Sequence, residues 1–303
     1  MPSNPMSRWQ HHTSAIASGF FGDWLESRRN PLAVSLALLH SGTELDLAHP
    51  EIDNASGTLC ISIHGLMELE TVWQLPNTHG ESYGSMLSSS VQGGVTDLVL
   101  RYNTGRPIYR NGQDLSEMLE KLVSSWPVPV TRLILLGHSM GGLVIRGACH
   151  AGSTAGHRWL GLLSDCLYIG APHDGSWLAK GAHSMAGMLN ERPRDYLKVI
   201  GEVIDLRSEG IRNLSRGEFL EQGGDEPPLL PDTRHYVICG LLARSRKHPV
   251  NAWFGDALVH EGSAQGQEKS GWQLAGVATF PGVDHLRLAH HPDVANQLQE
   301  WLV

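Results

Sequence analysis

The stretch from Thr131 to His150, TRLILLGHSMGGLVIRGACH, constrains this chain more than any other. Leu133, Ile134, Leu135 and Leu136 form a short apolar run, the pattern of a strand covered on both faces. Gly137, His138, Ser139, Met140 and Gly141 follow as G-x-S-x-G. Glycines at that spacing allow a tight turn that lifts the serine hydroxyl above the end of a sheet. From Gly142 to His150 the pattern turns helical, and a helix N-terminus beside the hydroxyl stabilises negative charge. Strand, turn and helix in this order predict an activated Ser139 and hence acyl transfer.

The five-residue pattern is not selective by itself, because the chain holds a second copy at Gly80, Glu81, Ser82, Tyr83 and Gly84. The residues before it, Leu75 to His79, carry a proline and polar groups and are no strand. That copy is expected as a loop leading into a short helix, and Ser82 is set aside as a nucleophile.

Along the rest of the chain, residues 13–30 predict a helix, and 32–40 with 44–47 a hairpin around Ser41, Gly42 and Thr43. Strands are expected at 59–63, 97–102, 131–139, 165–170, 235–240 and 272–278, and helices at 111–126, after the Ser139 turn, and at 292–302. Leu115, Met118, Leu119, Leu122 and Val123 recur at helical spacing, which marks a core-facing stripe. Alternation from residue 59 onward predicts a mostly parallel sheet with helices on both faces. Residues 1–58 are expected as an N-terminal helix and hairpin extension packed on the core, and 59–303 as the catalytic domain.

A net charge of −8, with no basic run beyond Arg28-Arg29 and the 244–247 segment, argues against nucleic acid as a partner. Cys60, Cys149, Cys166 and Cys239 lack metal-type spacing and are expected as buried, reduced thiols. The first twenty residues lack a basic start followed by a sustained apolar core, and the longest apolar stretch, at 31–39, is too short to span a bilayer. The expected localisation is cytoplasmic, with secretion as the alternative had a signal sequence been removed.

A serine hydroxyl needs a base to take its proton and donors to hold the oxyanion that forms. In parallel sheets such groups gather at the C-terminal ends of the strands, here in the chain order serine, acid, histidine. The acid is expected at Asp256, in the 253–264 segment after the 235–240 strand, ahead of Asp232, Asp205 and Asp284. Asp284 adjoins the histidine, and neighbours one residue apart rarely face each other. The base is expected at His285, between the last strand and last helix. His290 and His291 read as the approach to Pro292, and His260 follows the acid too closely. The oxyanion donors are expected to be the backbone N–H groups of Met140 and Leu66, with His64 as a structural support of the loop that carries Leu66.

Six pieces carry a family resemblance: His64 to Leu66, Arg101 to Gly105, Gly137 to Gly142, Gly170 to Gly175, Gly255 to Val259, and His285-Leu286. In this order they resemble the α/β-hydrolase lipases and esterases, especially the bacterial lipase-like proteins grouped with PGAP1-like and lecithin-cholesterol acyltransferase-like hydrolases. The resemblance implies an α/β-hydrolase fold and a Ser139–His285–Asp256 triad. It also implies hydrolysis of carboxylic esters through an acyl-enzyme, with no cofactor. Phospholipase, amidase or acyltransferase chemistry by the same triad is the alternative, and a non-catalytic binding module the remotest reading. The chain departs from many relatives in carrying Ala257 and Leu258 after the acid, where they carry Gly and Thr. Some members bind calcium near the acid loop, but Asp232, Asp256 and Glu261 form no recognisable oxygen cage, and no metal is expected.

Residues 176–230 are too long for a plain connection. The apolar Trp177, Leu178, Met185, Met188 and Leu189 there predict a helical lid lining an acyl pocket, with an ordinary helical layer as the alternative. The expected partners are a small-molecule ester or lipid and, transiently, a lipid interface.

Overall fold

The computed structural model describes residues 34–173, 209, 213, 218–221, 227–241 and 272–303. Among them eight strands form one sheet: β1 (Ala37–His40), β2 (Thr43–Glu44), β3 (Thr58–Ile63), β4 (Thr96–Arg101), β5 (Arg132–His138), β6 (Leu163–Ile169), β7 (Arg234–Leu241) and β8 (Gly276–Pro281). Their order is β2-β1-β4-β3-β5-β6-β7-β8. All neighbours from β4 to β8 are parallel, and only β1 pairs antiparallel, with β2 and β4. Four α-helices lie wholly among the described residues: α1 (Tyr83–Ser90), α2 (Ile108–Ser125), α3 (Met140–Ala155) and α4 (Pro292–Leu302).

The period of two along each strand divides the core into two layers. Leu59, Ile61 and Ile63 of β3 and Leu133 and Leu135 of β5 meet Leu115 and Leu119 of α2 and Leu143 and Val144 of α3. Their neighbours Cys60, Ile134 and Leu136 point the other way, onto Leu87 of α1 and Val294 and Leu298 of α4. Each such aliphatic side chain contributes about 1.5–3 kcal/mol by leaving water. With both faces covered, only the strand ends are open to build a site.

The chain leaves β3 toward β4 on one side and returns to place β5 on the other. The C-terminal ends of β3 and β5 therefore flank the point where the winding direction reverses, and connections leading apart there open a crevice. Register brings Gly137 of β5 level with Ile63 of β3 and Tyr168 of β6.

Some element bounds differ from expectation. The last strand starts at Gly276 rather than Trp272, because Trp272 and Leu274 spend their apolar surface on the core outside any strand. Helix α2 begins at Ile108, whose buried side chain extends the apolar stripe by a turn and whose N–H donates to Asn213 Oδ1 at 3.2 Å. The N-terminal hairpin continues the central sheet through the β1–β4 pairing. All four cysteines are buried and unbridged. The predicted 13–30 helix, most of the 176–230 lid segment and the acid loop lie outside the described residues.

Candidate active site

Ser139 occupies the single position between β5 and α3, with φ 53° and ψ −122°. A non-glycine residue in this region costs about 1–3 kcal/mol and persists only where its surroundings hold it. Here they do. The Ser139 N–H donates to the Ile169 carbonyl at the end of β6 (2.9 Å), and the Ser139 carbonyl accepts from Gly142 N–H (3.1 Å). On the other flank Gly141 presses on β3 so closely that a Cβ there would lie 2.2 Å from the Ile63 carbonyl oxygen. Ser82 has no such geometry. It is an extended N-cap of α1 that accepts from Ser85 N–H (3.1 Å) and donates to Asp97, a structural role.

The loop after β3 lies directly against the serine. A Cβ on Gly65 would come within 2.8 Å of Ser139 Cβ. Leu66, the next residue, is buried, and Met140 opens α3 immediately after Ser139. The two residues expected to supply oxyanion donors thus border the serine from two elements. His64 supports this loop: its Nδ1 pairs with the Gly65 carbonyl (3.0 Å), its ring stacks on Tyr102 at 4.6 Å, and its carbonyl accepts from Tyr102 O–H (2.6 Å). Burial pushes its imidazole pKa down.

His285 reaches the same corner from the loop after β8. A Cβ on Gly170, the residue after Ile169, would lie 3.0 Å from His285 Cε1 and Nδ1. Ser139 and His285 therefore lie against one peptide unit, the backbone of the first bonded to Ile169 and the ring of the second beside Gly170. The rival residues are occupied elsewhere. His291 caps α4 by accepting from Asp293 N–H (3.2 Å), and His290 Nδ1 pairs with the Val72 carbonyl (2.9 Å). Asp284 accepts from Arg287 N–H in the turn (3.1 Å). Asp232 lies in the turn entering β7, at the opposite end of the strands from Ser139. Asp256, Asp205, His260, Trp177, Leu178, Met185, Met188 and Leu189 are outside the described residues.

Sequence reasoning missed Glu68 and His138. His138, fully buried before the serine, directs Nδ1 to Glu68 Oε2 (2.8 Å) and Nε2 to the His285 carbonyl (2.9 Å). Its ring centroid is 4.8 Å from that of His285, and the Trp73 ring stands edge-on to it at 6.3 Å. Glu68 Oε2 also accepts from Gly65 N–H at 2.6 Å. Burial alone would raise the Glu68 carboxyl, but the His138 ring and the Gly65 N–H together hold it below the usual range. The available signal was the spacing of Glu68 three residues after Gly65, which suits a carboxylate closing a turn on its own loop.

Further from the serine, Arg146 of α3 ties down returning segments. Its guanidinium faces the rings of Phe219 (4.8 Å) and Trp272 (4.9 Å), and Nη2 donates to the Pro227 carbonyl (2.6 Å). Among the described residues no three His, Cys, Asp or Glu side chains gather as a metal site, and no helix is long and apolar enough to cross a membrane.

No protein-family model matches this chain, and no curated protein matches its sequence. Solved structures do match its fold. A thioesterase from the prodiginine biosynthetic pathway of Streptomyces coelicolor superposes with a TM-score of 0.51 at 12% identity, over 82% of this chain and 88% of its own. An esterase of Pyrococcus furiosus gives 0.48 at 13% identity, covering 89% and 86% of the two chains. A lipase of Bacillus licheniformis in its mature form gives 0.46 at 14%, covering 88% and 98%. The parallel sheet with helices on both faces and its structural likeness identify the architecture as an α/β-hydrolase fold.

Proposed function

We propose that this protein is a serine hydrolase of carboxylic esters, with Ser139 as nucleophile, His285 as general base and Asp256 as the acid that orients it. The observation that carries the reading is the conformation of Ser139. A serine held at φ 53° between a buried parallel strand and a helix N-terminus, beside a histidine ring on the adjoining strand end, has no evident structural use. It has a chemical one.

His285 takes the Ser139 hydroxyl proton as Oγ attacks the ester carbonyl carbon. The carbonyl oxygen becomes an oxyanion facing the N–H groups of Leu66 and Met140, where the N-terminus of α3 adds favourable potential. Collapse breaks the C–O bond, and the imidazolium gives its proton to the departing alcohol. Water, deprotonated by His285, then releases the acid from the acyl-enzyme. The acyl chain is proposed to lie against Trp177, Leu178, Met185, Met188 and Leu189, which favours a small-molecule ester or lipid.

Turnover of p-nitrophenyl esters tests the reading. Ser139→Ala is expected to lower kcat by at least about a thousandfold in a folded protein. Unchanged turnover in that variant removes the proposal. A panel from acetate to long-chain triglyceride, with phospholipid and amide arms, then assigns the substrate class.

A further inference from the structure

The loop after β3 and the loop after β8 come from opposite halves of the chain, yet both must hold fixed positions relative to Ser139. One buried side chain reaches both. Glu68 Oε2 takes the Gly65 N–H at 2.6 Å, and the Glu68 N–H returns to the Gly65 carbonyl at 3.3 Å, closing a tight turn on residues 65–68. The same Oε2 meets His138 Nδ1 at 2.8 Å, and His138 Nε2 meets the His285 carbonyl at 2.9 Å. Gly65 is held between Ser139 on one side and the Glu68 carboxylate on the other. A Cβ on it would approach Ser139 Cβ to 2.8 Å and Glu68 Oε2 to 2.9 Å.

The carbonyl at one end of this chain of contacts fixes where its protons lie. The His285 carbonyl has no proton to give, so His138 must carry one on Nε2. Its Nδ1 faces a carboxylate, so that contact holds one shared proton, and the Glu68–His138 pair is net neutral with either partner carrying it. The link from Gly65 to His285 is then complete: amide donor, carboxylate, imidazole, carbonyl. Glu68 is 8% exposed and His138 fully buried, so water does not compete for these bonds. Glu68 Oε1 is also buried and has no hydrogen-bond partner among the described residues. A carboxylate kept dry with half its capacity unused is costly as a stabilising device.

We propose that Glu68 is a positioning residue that sets the oxyanion loop and the general-base loop to a common point under Ser139, the second of them through His138. This rests on the serine-hydrolase reading above. Glutamine at 68 keeps the shape but shares no proton with His138: turned to the place of Oε2, its oxygen accepts the Gly65 N–H but opposes a bare His138 Nδ1, and its nitrogen donates to Nδ1 but cannot accept the Gly65 N–H. The two loops then lose their shared anchor, and a displacement of about 1 Å in such a group costs on the order of a hundredfold in rate.

The test uses the full chain as wild type, Ser139→Ala, Glu68→Gln and Asp165→Asn. Each is assayed for p-nitrophenyl butyrate kinetics and for the rate of covalent labelling by a fluorophosphonate. Asp165 lies at the far end of the sheet and reports the effect of general destabilisation. Glu68→Gln is expected to lose about 30–100-fold in kcat with KM changed by less than about threefold, and to be labelled more slowly in proportion. Asp165→Asn is expected to keep wild-type kcat at 25 °C. An active, labelled wild type beside a Glu68→Gln protein with kcat within threefold of it overturns this proposal alone. A wild type with neither turnover nor labelling at Ser139 overturns the hydrolase reading and this proposal with it. Should Glu68→Gln fail to fold, the wild type carries the test by nitrogen-15 histidine NMR. His138 must show an Nε2 proton that resists exchange with solvent at neutral pH, and a ring bare at Nε2 overturns the proposal.

Discussion

The two ends of the sheet each bury a carboxylate, and they treat it differently. At the N-terminal end Asp165 of β6 is fully buried but has two cations, Arg132 Nη2 at 2.9 Å from Oδ2 and Arg234 Nη2 at 2.8 Å from Oδ1. Ser164 Oγ adds a third contact at 2.6 Å. Both arginines reach water, so three neighbouring strands are stapled with little desolvated positive charge. At the C-terminal end Glu68 has one imidazole and one backbone N–H, both buried, and an oxygen with nothing bonded to it among the described residues. A carboxylate that only joins strands is surrounded by more cation than it needs. The one beside Ser139 is matched sparsely, so its few bonds fix the geometry of the loops that make them.

The largest disturbance should come from the elbow itself. Gly141→Ala drives a Cβ to 2.2 Å from the Ile63 carbonyl oxygen, which is backbone and cannot turn aside. Either β3 or the first turn of α3 must move, at a cost of about 3 kcal/mol or more. A thermal melt is expected to fall by about five degrees or more and ester turnover to drop at least about a hundredfold. A wild-type melt would mean that the C-terminal end is softer than its packing implies.

Asp165→Asn attacks the other end and should separate stability from rate. It removes two charge-assisted contacts but leaves arginines that can swing into water, so the expected loss is about 2–3 kcal/mol with kcat unchanged. Urea denaturation beside steady-state kinetics measures both. A fall in kcat matching that of Glu68→Gln would erase the distinction between the two ends.

Which parts of this arrangement the sequence revealed follows from how local their causes are. Ser139 was legible because strand, turn and helix are contiguous, and the same test rejected Ser82, whose lead-in has no strand. Helix α4 was legible to the residue because Pro292 marks its first turn. Glu68 was not, since its meaning depends on His138, seventy positions away, and on a carbonyl of His285 beyond that. The last strand was misplaced by four residues for a related reason. Trp272 has the apolarity of a strand residue, but it packs on the Arg146 guanidinium and the His173 ring, contacts no local pattern encodes.

A third carboxylate, Asp97 of β4, sharpens the comparison because no arginine among the described residues meets it. Its side chain accepts from the Ser82 hydroxyl, and its Oδ1 is buried with no hydrogen-bond partner among the described residues. Burial raises its pKa, against smaller opposing effects of Ser82, His40 and Ser85. The sign is opposite to that of Glu68. A lowered carboxyl adds stability above its unfolded value that is lost as pH falls through the folded one, whereas a raised carboxyl favours folding below about pH 4 and opposes it as pH rises. Asp97→Asn keeps an oxygen for the Ser82 hydroxyl and removes the buried charge. Its melting temperature is expected to exceed that of wild type by a few degrees at pH 7, with the gain shrinking to nothing near about pH 4. Melts across that interval measure it. An Asp97→Asn protein no more stable than wild type at pH 7 would mean that a hydroxyl and a nearby imidazole match a buried carboxylate as well as two arginines do, and the sparse matching of Glu68 would then say nothing about its role.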